Sequence, residues 1–194
     1  ALGASYHDNY VGCCQYSDIA VLSFHPVKNI TTGEGGAVLT NNEELAHKLK
    51  LLRSHGVTRD NNLMQNKENN FPWYYEQVSL GFNYRMPDIN AALGITQLKK
   101  LNSFVNIKNN IFNWYCEKLQ DFPVSPLIQK NYGKSAHHLF VVRLEGTNIN
   151  RDNFFQHLRR HDILVNLHYI PIYRQPYFEN KLRLLGAEKF YNSV

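Results

Sequence analysis

The sequence predicts an α/β protein built from two domains. Apolar runs bounded by turn residues, which are typical of buried strands, alternate with segments of helical period. After a Pro-containing stretch near residue 123 the pattern changes, and a second strand–helix–strand unit follows. We therefore expect a first domain over residues 1–122 and a smaller second domain over residues 123–194.

The first predicted elements lie close together. Residues 18–24, "DIAVLSF", and residues 36–40, "GAVLT", predict two buried strands, because apolar and β-branched side chains run through them without interruption. Residues 41–56 predict a helix. Asn41 or Asn42 can cap its N-terminus, acidic residues occupy its first turn, and a glycine ends it.

The remaining elements follow in chain order. Residues 57–75 are rich in asparagine and aromatic residues without a period, which indicates a long loop. A helical pattern then runs over residues 86–122, as one long helix or a broken one. In the second domain, residues 137–146 and 163–171 predict strands on either side of a helix over residues 150–162, which has an N-terminal asparagine cap.

Composition excludes several classes of protein. Of the 194 residues, 43% are hydrophobic and 19% are charged, which is an ordinary globular balance. No apolar run approaches the roughly 20 residues that span a membrane, so we expect no membrane contact. Three cysteines, two of them adjacent and none in a CxxC pair, predict neither a disulfide framework nor a zinc site. This cysteine usage favours a reduced, cytoplasmic protein.

The positive charge is too diffuse to indicate nucleic-acid binding. The formal net charge is +5, from 21 Lys and Arg against 16 Asp and Glu. These basic residues are scattered over predicted helix faces, and neither an arginine-rich arm nor an RNA-recognition motif occurs. Nucleic-acid binding would require strongly salt-dependent association with any duplex, and we expect none.

One lysine follows the first of these predicted strands, in "LSFHPVKNITTGEGG". Lys28 comes after a turn that Pro26 stiffens, and Ser23 precedes the same turn. Gly33, Gly35 and Gly36 allow positive φ and a close approach of the backbone to a ligand. A lysine at a strand end is usually a surface residue, but ligands of α/β proteins bind at the carboxyl ends of strands. Lys28 is therefore a candidate for ligand chemistry.

Schiff-base formation is a reaction that needs one such lysine. A partly desolvated lysine has a lowered pKa and can add to a carbonyl group. A nearby hydroxyl such as that of Ser23 could hold a phosphate, and pyridoxal 5'-phosphate offers both an aldehyde and a phosphate. A nucleotide-binding P-loop is excluded, because no Gly-x-x-x-x-Gly-Lys ends at Lys28.

Three blocks of the sequence resemble a known family. "SFHPVKNITTGEGGAVLTNNEEL…LLRSHG", "LGFNYRMPDINAALGITQLKKL" and "VNLHYIPIYRQPYF" resemble, in order and spacing, the pyridoxal-phosphate-dependent nucleotide-sugar aminotransferases of the DegT/StrS type. The resemblance covers essentially the whole chain. It implies the aspartate-aminotransferase-like fold (fold type I). Residues 1–122 would be the C-terminal part of the large cofactor-binding domain with its linking helix, and residues 123–194 an incomplete small domain.

The wording of the blocks is most similar to members that aminate C4 of a UDP-linked 4-keto-6-deoxy amino sugar, as in pseudaminic-acid biosynthesis for surface or flagellar glycans. The resemblance implies an amino-acid donor, with glutamate expected, and a homodimer with shared active sites. Family members are about twice this length, so the chain would correspond to their second half. The acidic residue that pairs with the pyridine nitrogen would then precede Ala1, and we expect this chain alone to be inactive.

The resemblance also assigns roles to cofactor-binding residues. Lys28 would hold pyridoxal phosphate as a Schiff base and later shuttle a proton. Ser23 would hydrogen-bond the cofactor phosphate, and Asn83 of "NYR" would reach the phosphate in the neighbouring subunit. For Asn83 the competing interpretation is a residue of an ordinary loop turn.

Four further residues would contact the substrate. His25 would touch the substrate or tune the lysine, and Arg85 would pair with anionic substrate groups. His168 and Tyr169 would line the sugar-nucleotide pocket. The competing interpretations are a structural histidine at His25, a solvated charge at Arg85, and a strand with a polar face for the last two.

Three alternatives to a transaminase of this substrate stay open. Some family members are dehydratases with histidine in place of the lysine, and Lys28 argues against that activity. A catalytically inactive regulatory or structural protein could keep the fold, although Ser23, Lys28, Asn83 and Arg85 occur together. A transaminase acting on a different keto sugar would share all these residues.

Overall fold

Short strands and longer helices make up the protein. The computed structural model describes residues 2–66, 71–178 and 183–194. The strands in this part are β1 Ser5–Tyr6, β2 Asn9–Tyr10, β3 Ala20–Ser23, β4 Gly36–Leu39, β5 Val57–Thr58, β6 Glu76–Gln77, β7 Ser125–Pro126, β8 Gly133–Lys134 and β9 Val142–Arg143. The helices are α1 Glu43–Arg53, α2 Asp88–Leu98, α3 Leu101–Lys118, α4 Arg151–Arg160 and α5 Leu185–Ser193, with a short 3-10 helix, η1, at Ile172–Arg174.

The chain divides into two compact units. Unit 1 comprises Ala1–Asn109 and Lys130–His138, and unit 2 comprises Asn110–Gln129 and Leu139–Val194. The division lies within α3, and a later segment that contains β8 returns to unit 1 to pair with β1. These units differ from the two predicted residue ranges, and the boundary at residue 123 stays a prediction.

β3 and β4 form the hairpin that carries the candidate lysine turn. The two strands pair antiparallel from Ala20 opposite Leu39 to Ser23 opposite Gly36, which confirms both predicted strands. The expectation that they are buried was wrong for this chain. Leu22 is 8% exposed, but the neighbouring Val21 is 75% exposed. The apolar pattern predicts that both faces of the hairpin are buried, but the described residues bury only one of them.

Helix α1 follows the hairpin as predicted. The side chain of Asn42 accepts a hydrogen bond from the Leu45 N–H at 3.0 Å, so Asn42 and not Asn41 is the capping residue. The helix ends at Arg53, three residues before the predicted stop at Gly56. Gly56 has a φ of +68°, which lets its N–H reach back to the Leu51 carbonyl at 2.7 Å.

The predicted loop and the long helical segment both have internal structure. Residues 57–75 begin with β5, which pairs with β6 beyond them, and are otherwise irregular where described; residues 67–70 lie outside the described residues. The helical pattern is broken at Lys99 and Lys100, which separate α2 from α3. Within the described residues, no helix is both long and apolar enough to cross a membrane.

In unit 2 the helix prediction was right and the strand predictions were poorer. Asn150 caps α4 by accepting from the Asn153 N–H at 3.0 Å. Of residues 137–146, only the two residues of β9 are paired. The predicted strand over residues 163–171 was wrong, because this segment has no strand partner among the described residues. An apolar run becomes a strand only where another edge receives its backbone hydrogen bonds.

Candidate active site

Lys28 closes a β-turn just past the carboxyl end of β3. Its backbone N–H donates to the His25 carbonyl at 2.9 Å, and Pro26 occupies the second position of the turn, where its fixed φ favours this conformation. The Lys28 side chain is half-buried. The turn therefore fixes the backbone from which the candidate amine extends.

Ser23 and His25 belong to the same turn. The hydroxyl oxygen of Ser23 accepts from the His25 N–H at a long 3.5 Å, and Nδ1 of His25 accepts from the Val27 N–H at 3.4 Å. Nε2 of His25 lies 3.9 Å from Oε1 of Glu34, an ion pair only when the histidine is protonated. Both side chains are exposed, so this pair contributes little to stability. His25 is held chiefly as part of the turn.

The glycine-rich segment folds back onto the hairpin. Gly33 and Gly35 have positive φ, +78° and +154°, as predicted. Gly36 does not, and it lies instead against its own chain: a Cβ there would stand 2.6 Å from the Leu22 carbonyl oxygen. At Gly36 the close approach expected for a ligand is made to the opposing strand.

Helix α2 packs against the glycine-rich segment and donates hydrogen bonds to it. The amide nitrogen of Asn90 donates to the carbonyl oxygen of Thr32 and, at 3.3 Å, to that of Glu34. Thr32 is only 2% exposed, and Gly94 lies so close that a Cβ there would stand 2.8 Å from its methyl carbon. Sequence reasoning did not identify Asn90, because nothing local links it to a segment 58 positions earlier.

A buried amide follows Lys28 directly. Asn29 is 6% exposed, and its Nδ2 donates to the Leu2 carbonyl at 2.9 Å. Its Oδ1 accepts from Nζ of Lys108, on α3, at 2.8 Å. Neither Asn29 nor Lys108 is among the site residues predicted from the sequence. The only local signal was a polar residue between the candidate lysine and the apolar Ile30.

Asn83 and Arg85 lie on a separate segment of unit 1. Asn83 forms an isolated antiparallel bridge with Ser54, and the N–H of Tyr84 donates to the Arg53 carbonyl at 2.9 Å. The side chains of Asn83 and Arg85 are exposed. The segment is thus fixed to the end of α1 and leads into α2, the helix that holds the glycine-rich segment.

His168 and Tyr169 lie in unit 2, in the irregular segment that precedes η1. Their rings are 4.2 Å apart between centroids, edge to face, and the peptide bond between them is cis. His168 is half-buried and Tyr169 is 71% exposed. The structure therefore brings Ser23, His25 and Lys28 together in one turn and places these two residues in the other unit.

The groups of the turn suit a ligand that has a carbonyl and an anionic end. Lys28 supplies a half-buried primary amine that can add to a carbonyl carbon. The Ser23 hydroxyl is exposed and, among the described residues, serves only as an acceptor, so its proton can be donated to a phosphate oxygen. Pyridoxal phosphate fits this donor set.

The fold and the turn define an aminotransferase-family protein. The chain belongs to the DegT/DnrJ/EryC1/StrS aminotransferase family, whose sequence profile matches residues 1–194. It is 38% identical over 198 residues to the UDP-4-amino-4,6-dideoxy-N-acetyl-beta-L-altrosamine transaminase of Campylobacter jejuni, with 100% of this chain and 50% of that protein covered. The chain spans about half the length of the curated relatives it matches.

Solved structures support the same assignment and the fold. PseC of Helicobacter pylori, an aminotransferase involved in pseudoaminic acid biosynthesis, matches with a TM-score of 0.84 at 33% identity, over 100% of this chain and 50% of that one. The putative sugar aminotransferase Spr1654 of Streptococcus pneumoniae in its PMP form matches with a TM-score of 0.86 at 28% identity, over the same shares. The predicted fold class, the fold of type I pyridoxal-phosphate enzymes, is confirmed.

Proposed function

We propose that the full-length protein carrying this chain is a pyridoxal-phosphate-dependent nucleotide-sugar aminotransferase. The observation that carries the proposal is the turn past β3, where the Lys28 amine and the Ser23 hydroxyl share one hydrogen-bonded structure. Family membership supports the same reaction, and the family's aminotransferases depend on this cofactor.

The substrate we propose is a UDP-linked 4-keto-6-deoxy amino sugar, aminated at C4 for a surface or flagellar glycan. Support comes from the relative in Campylobacter jejuni, which is named as the transaminase of a UDP-linked 4-amino-4,6-dideoxy sugar, the kind of product that amination at C4 would give. We propose glutamate as the donor. In one half-reaction glutamate leaves as 2-oxoglutarate, and in the other the 4-keto sugar leaves as the 4-amino sugar.

Lys28 would carry the central role. Its Nζ would form the covalent attachment to the cofactor and, when freed by the incoming amine, accept and return the proton at the reacting carbon. When bound, pyridoxal phosphate supplies the electron sink for that proton transfer.

The other residues would bind and orient the cofactor and the substrate. Ser23 would donate to the cofactor phosphate, and His25 would contact the substrate from the same turn. Arg85, exposed at the entrance to α2, would pair with the anionic substrate. His168 and Tyr169 would contact the sugar nucleotide.

We also propose a cytoplasmic homodimer in which Asn83 contacts the cofactor phosphate of the neighbouring subunit. Two stacked rings flank this residue: Phe82 and Tyr84 lie 4.9 Å apart between centroids and are 48% and 72% exposed. Exposed aromatic side chains are enriched in protein interfaces, which supports burial of this segment in a dimer.

The test is chemical labelling of the full-length protein. Pyridoxal phosphate is added, the linkage is reduced with borohydride, and the labelled peptide is mapped. We expect the label on Lys28 and none in the K28A variant, with the lysine-to-alanine change at Lys118 as the matched control. Label elsewhere, or none in a folded protein, would refute the proposal.

A second assay separates catalysis from binding. Amino transfer from glutamate to the UDP-linked 4-keto sugar is followed by mass spectrometry of the sugar product. Product supports the transaminase. Label on Lys28 without transfer to this or any other keto sugar would instead favour a cofactor-binding protein without turnover.

A further inference from the structure

The backbone after Lys28 is held by a buried polar contact that connects three parts of unit 1. Asn29 carries the contact, and its side chain bridges the N-terminal segment at Leu2 and helix α3 at Lys108. Asn29 and Ile30 are 6% and 4% exposed, so the chain leaves the lysine turn directly into packed structure. Lys28 is thus fixed on its N-terminal side by the turn and on its C-terminal side by this bridge.

The amide of Asn29 has one orientation that satisfies it. Nδ2 must face the Leu2 carbonyl, which can only accept, and Oδ1 must face the Lys108 ammonium group, which can only donate. Removing the Lys108 donor would leave the buried Oδ1 unpaired, and such a loss costs more than the bond itself contributes. The pair therefore constrains the amide and, through it, the backbone of the residue after Lys28.

Lys108 is an unusual partner for an asparagine. Its side chain is half-buried, and no carboxylate of the described residues lies within 4 Å of its Nζ. Burial lowers the pKa of Lys108 below its ordinary value. Burying a charged group is costly unless it is hydrogen-bonded, and among the described residues Nζ of Lys108 donates to Oδ1 of Asn29.

We propose that Asn29 and Lys108 are positioning residues that hold Lys28 in the geometry for covalent attachment of the cofactor. The inference rests on the proposed function. It adds that helix α3, through Lys108 and Asn29, fixes the backbone next to Lys28. Neither residue touches the reacting atoms. Both act by fixing the backbone from which the Lys28 amine extends.

The first test separates attachment from binding in the full-length protein. The rate constant for reaction of Lys28 with pyridoxal phosphate is measured by absorbance in wild type, K108M and K108R. Affinity for pyridoxamine phosphate, which has no aldehyde, is measured by fluorescence. For K108M we expect attachment about tenfold slower with affinity for pyridoxamine phosphate within about twofold, because misplacement slows a reaction without removing uniform binding.

K108R should restore most of the attachment rate, since a guanidinium group also donates to Oδ1. K118M is the matched control on the same helix, because Lys118 is 58% exposed, and it should behave as wild type. An unchanged attachment rate in K108M would overturn the inference. So would a parallel loss of pyridoxamine phosphate affinity, which would indicate general damage to the site.

A cofactor-free measurement distinguishes this inference from the proposed function. In protein stripped of cofactor, hydrogen exchange at the Lys28 amide should be faster in K108M than in wild type and K118M, because its bond to the His25 carbonyl depends on the held backbone. If wild type fails to attach the cofactor at Lys28, the proposed function fails whatever this exchange shows. Equal exchange in all three proteins would contradict the positioning role alone.

If K108M does not fold, the more conservative variant K108Q replaces it in both measurements. K108Q keeps a hydrogen-bond donor, its side-chain amide, on a shorter neutral side chain. It should attach the cofactor more slowly than wild type and K108R but faster than K108M. Attachment by K108Q as fast as by wild type, with equal exchange at Lys28, would contradict the inference.

Discussion

The two segments predicted to carry the site differ in how far hydrogen bonds and burial fix their backbones. In residues 23–36, turn, hairpin and α2 contacts hold the backbone at Phe24, Lys28 and Thr32, and Asn29 and Thr32 are buried. Residues 163–171 are irregular and have no strand partner among the described residues, and Leu164 is 80% exposed. The first segment gains its structure from nearby residues and α2. The second requires surfaces that its own sequence does not supply.

The largest expected effect comes from the lysine in the well-supported segment. K28A should lower amino transfer by the full-length protein by about 10³-fold or more, because it removes both the covalent anchor and the proton-transfer group. Single-turnover assays with glutamate measure the change, and K118A serves as the control. Activity of K28A within a factor of ten of wild type would break the comparison, because the well-supported turn would then not hold the chemistry.

Much of this turn could be predicted from sequence because its determinants are local. Pro26 before Lys28 indicates the β-turn, and Asn42 and Asn150 mark the starts of α1 and α4 through hydrogen bonds that span three residues. Each signal and its partner lie within a few positions, so residue type alone identifies the structure.

The contacts that could not be predicted join distant positions. Asn90 reaches Thr32 across 58 positions, and Lys108 reaches Asn29 across 79. Burial was misjudged at Val21 because the apolar pattern says that a face needs cover and not where the cover comes from. The strand expected over residues 163–171 was wrong for the same reason: its backbone partners are not encoded within the segment.

The next effect tests how tightly the first segment is packed. A Cβ at Gly36 would lie 2.6 Å from the Leu22 carbonyl oxygen, whereas one at Gly186 in α5 would meet nothing within 4 Å. We expect G36A to lower the free energy of unfolding by about 2 kcal/mol, the cost of forcing packed backbone apart. G186A should leave it unchanged or raise it by up to about 1 kcal/mol, as alanine favours helix. Urea denaturation of both variants measures the difference, and equal stabilities would show that the hairpin yields easily.

A smaller effect, on Tm, should come from Glu188, which holds the 3-10 helix η1 directly after residues 163–171. Glu188 of α5 is 15% exposed and accepts from the Arg174 Nε at 3.1 Å and the Tyr173 hydroxyl at 3.0 Å, both in η1. E188Q should lower Tm more than E44Q, because Glu44 pairs with Lys48 on an exposed helix face. Thermal unfolding of the two variants at neutral pH gives the comparison.

The pH dependence of that difference has a definite sign. The hydrogen bond from Arg174, and then that from Tyr173, hold the pKa of Glu188 below its ordinary 4.5. Its contribution is therefore present above pH 4.5 and is lost as pH falls through the lowered pKa. The Tm advantage of wild type over E188Q should shrink in acid. An advantage that grew in acid would show that η1 is held by other contacts.

The smallest expected effect returns to the support of the first segment. Burial lowers the pKa of Lys108 below its ordinary 10.5, so between the lowered pKa and 10.5 the unfolded chain binds more protons than the folded chain. Stability contributed by this residue therefore rises with pH across that window. Wild type should gain stability relative to K108R as pH rises toward 10.5, because arginine stays charged throughout. Urea denaturation at several alkaline pH values measures this difference, and a difference that is constant or falls would mean that Lys108 is better hydrated than its contact with Asn29 implies.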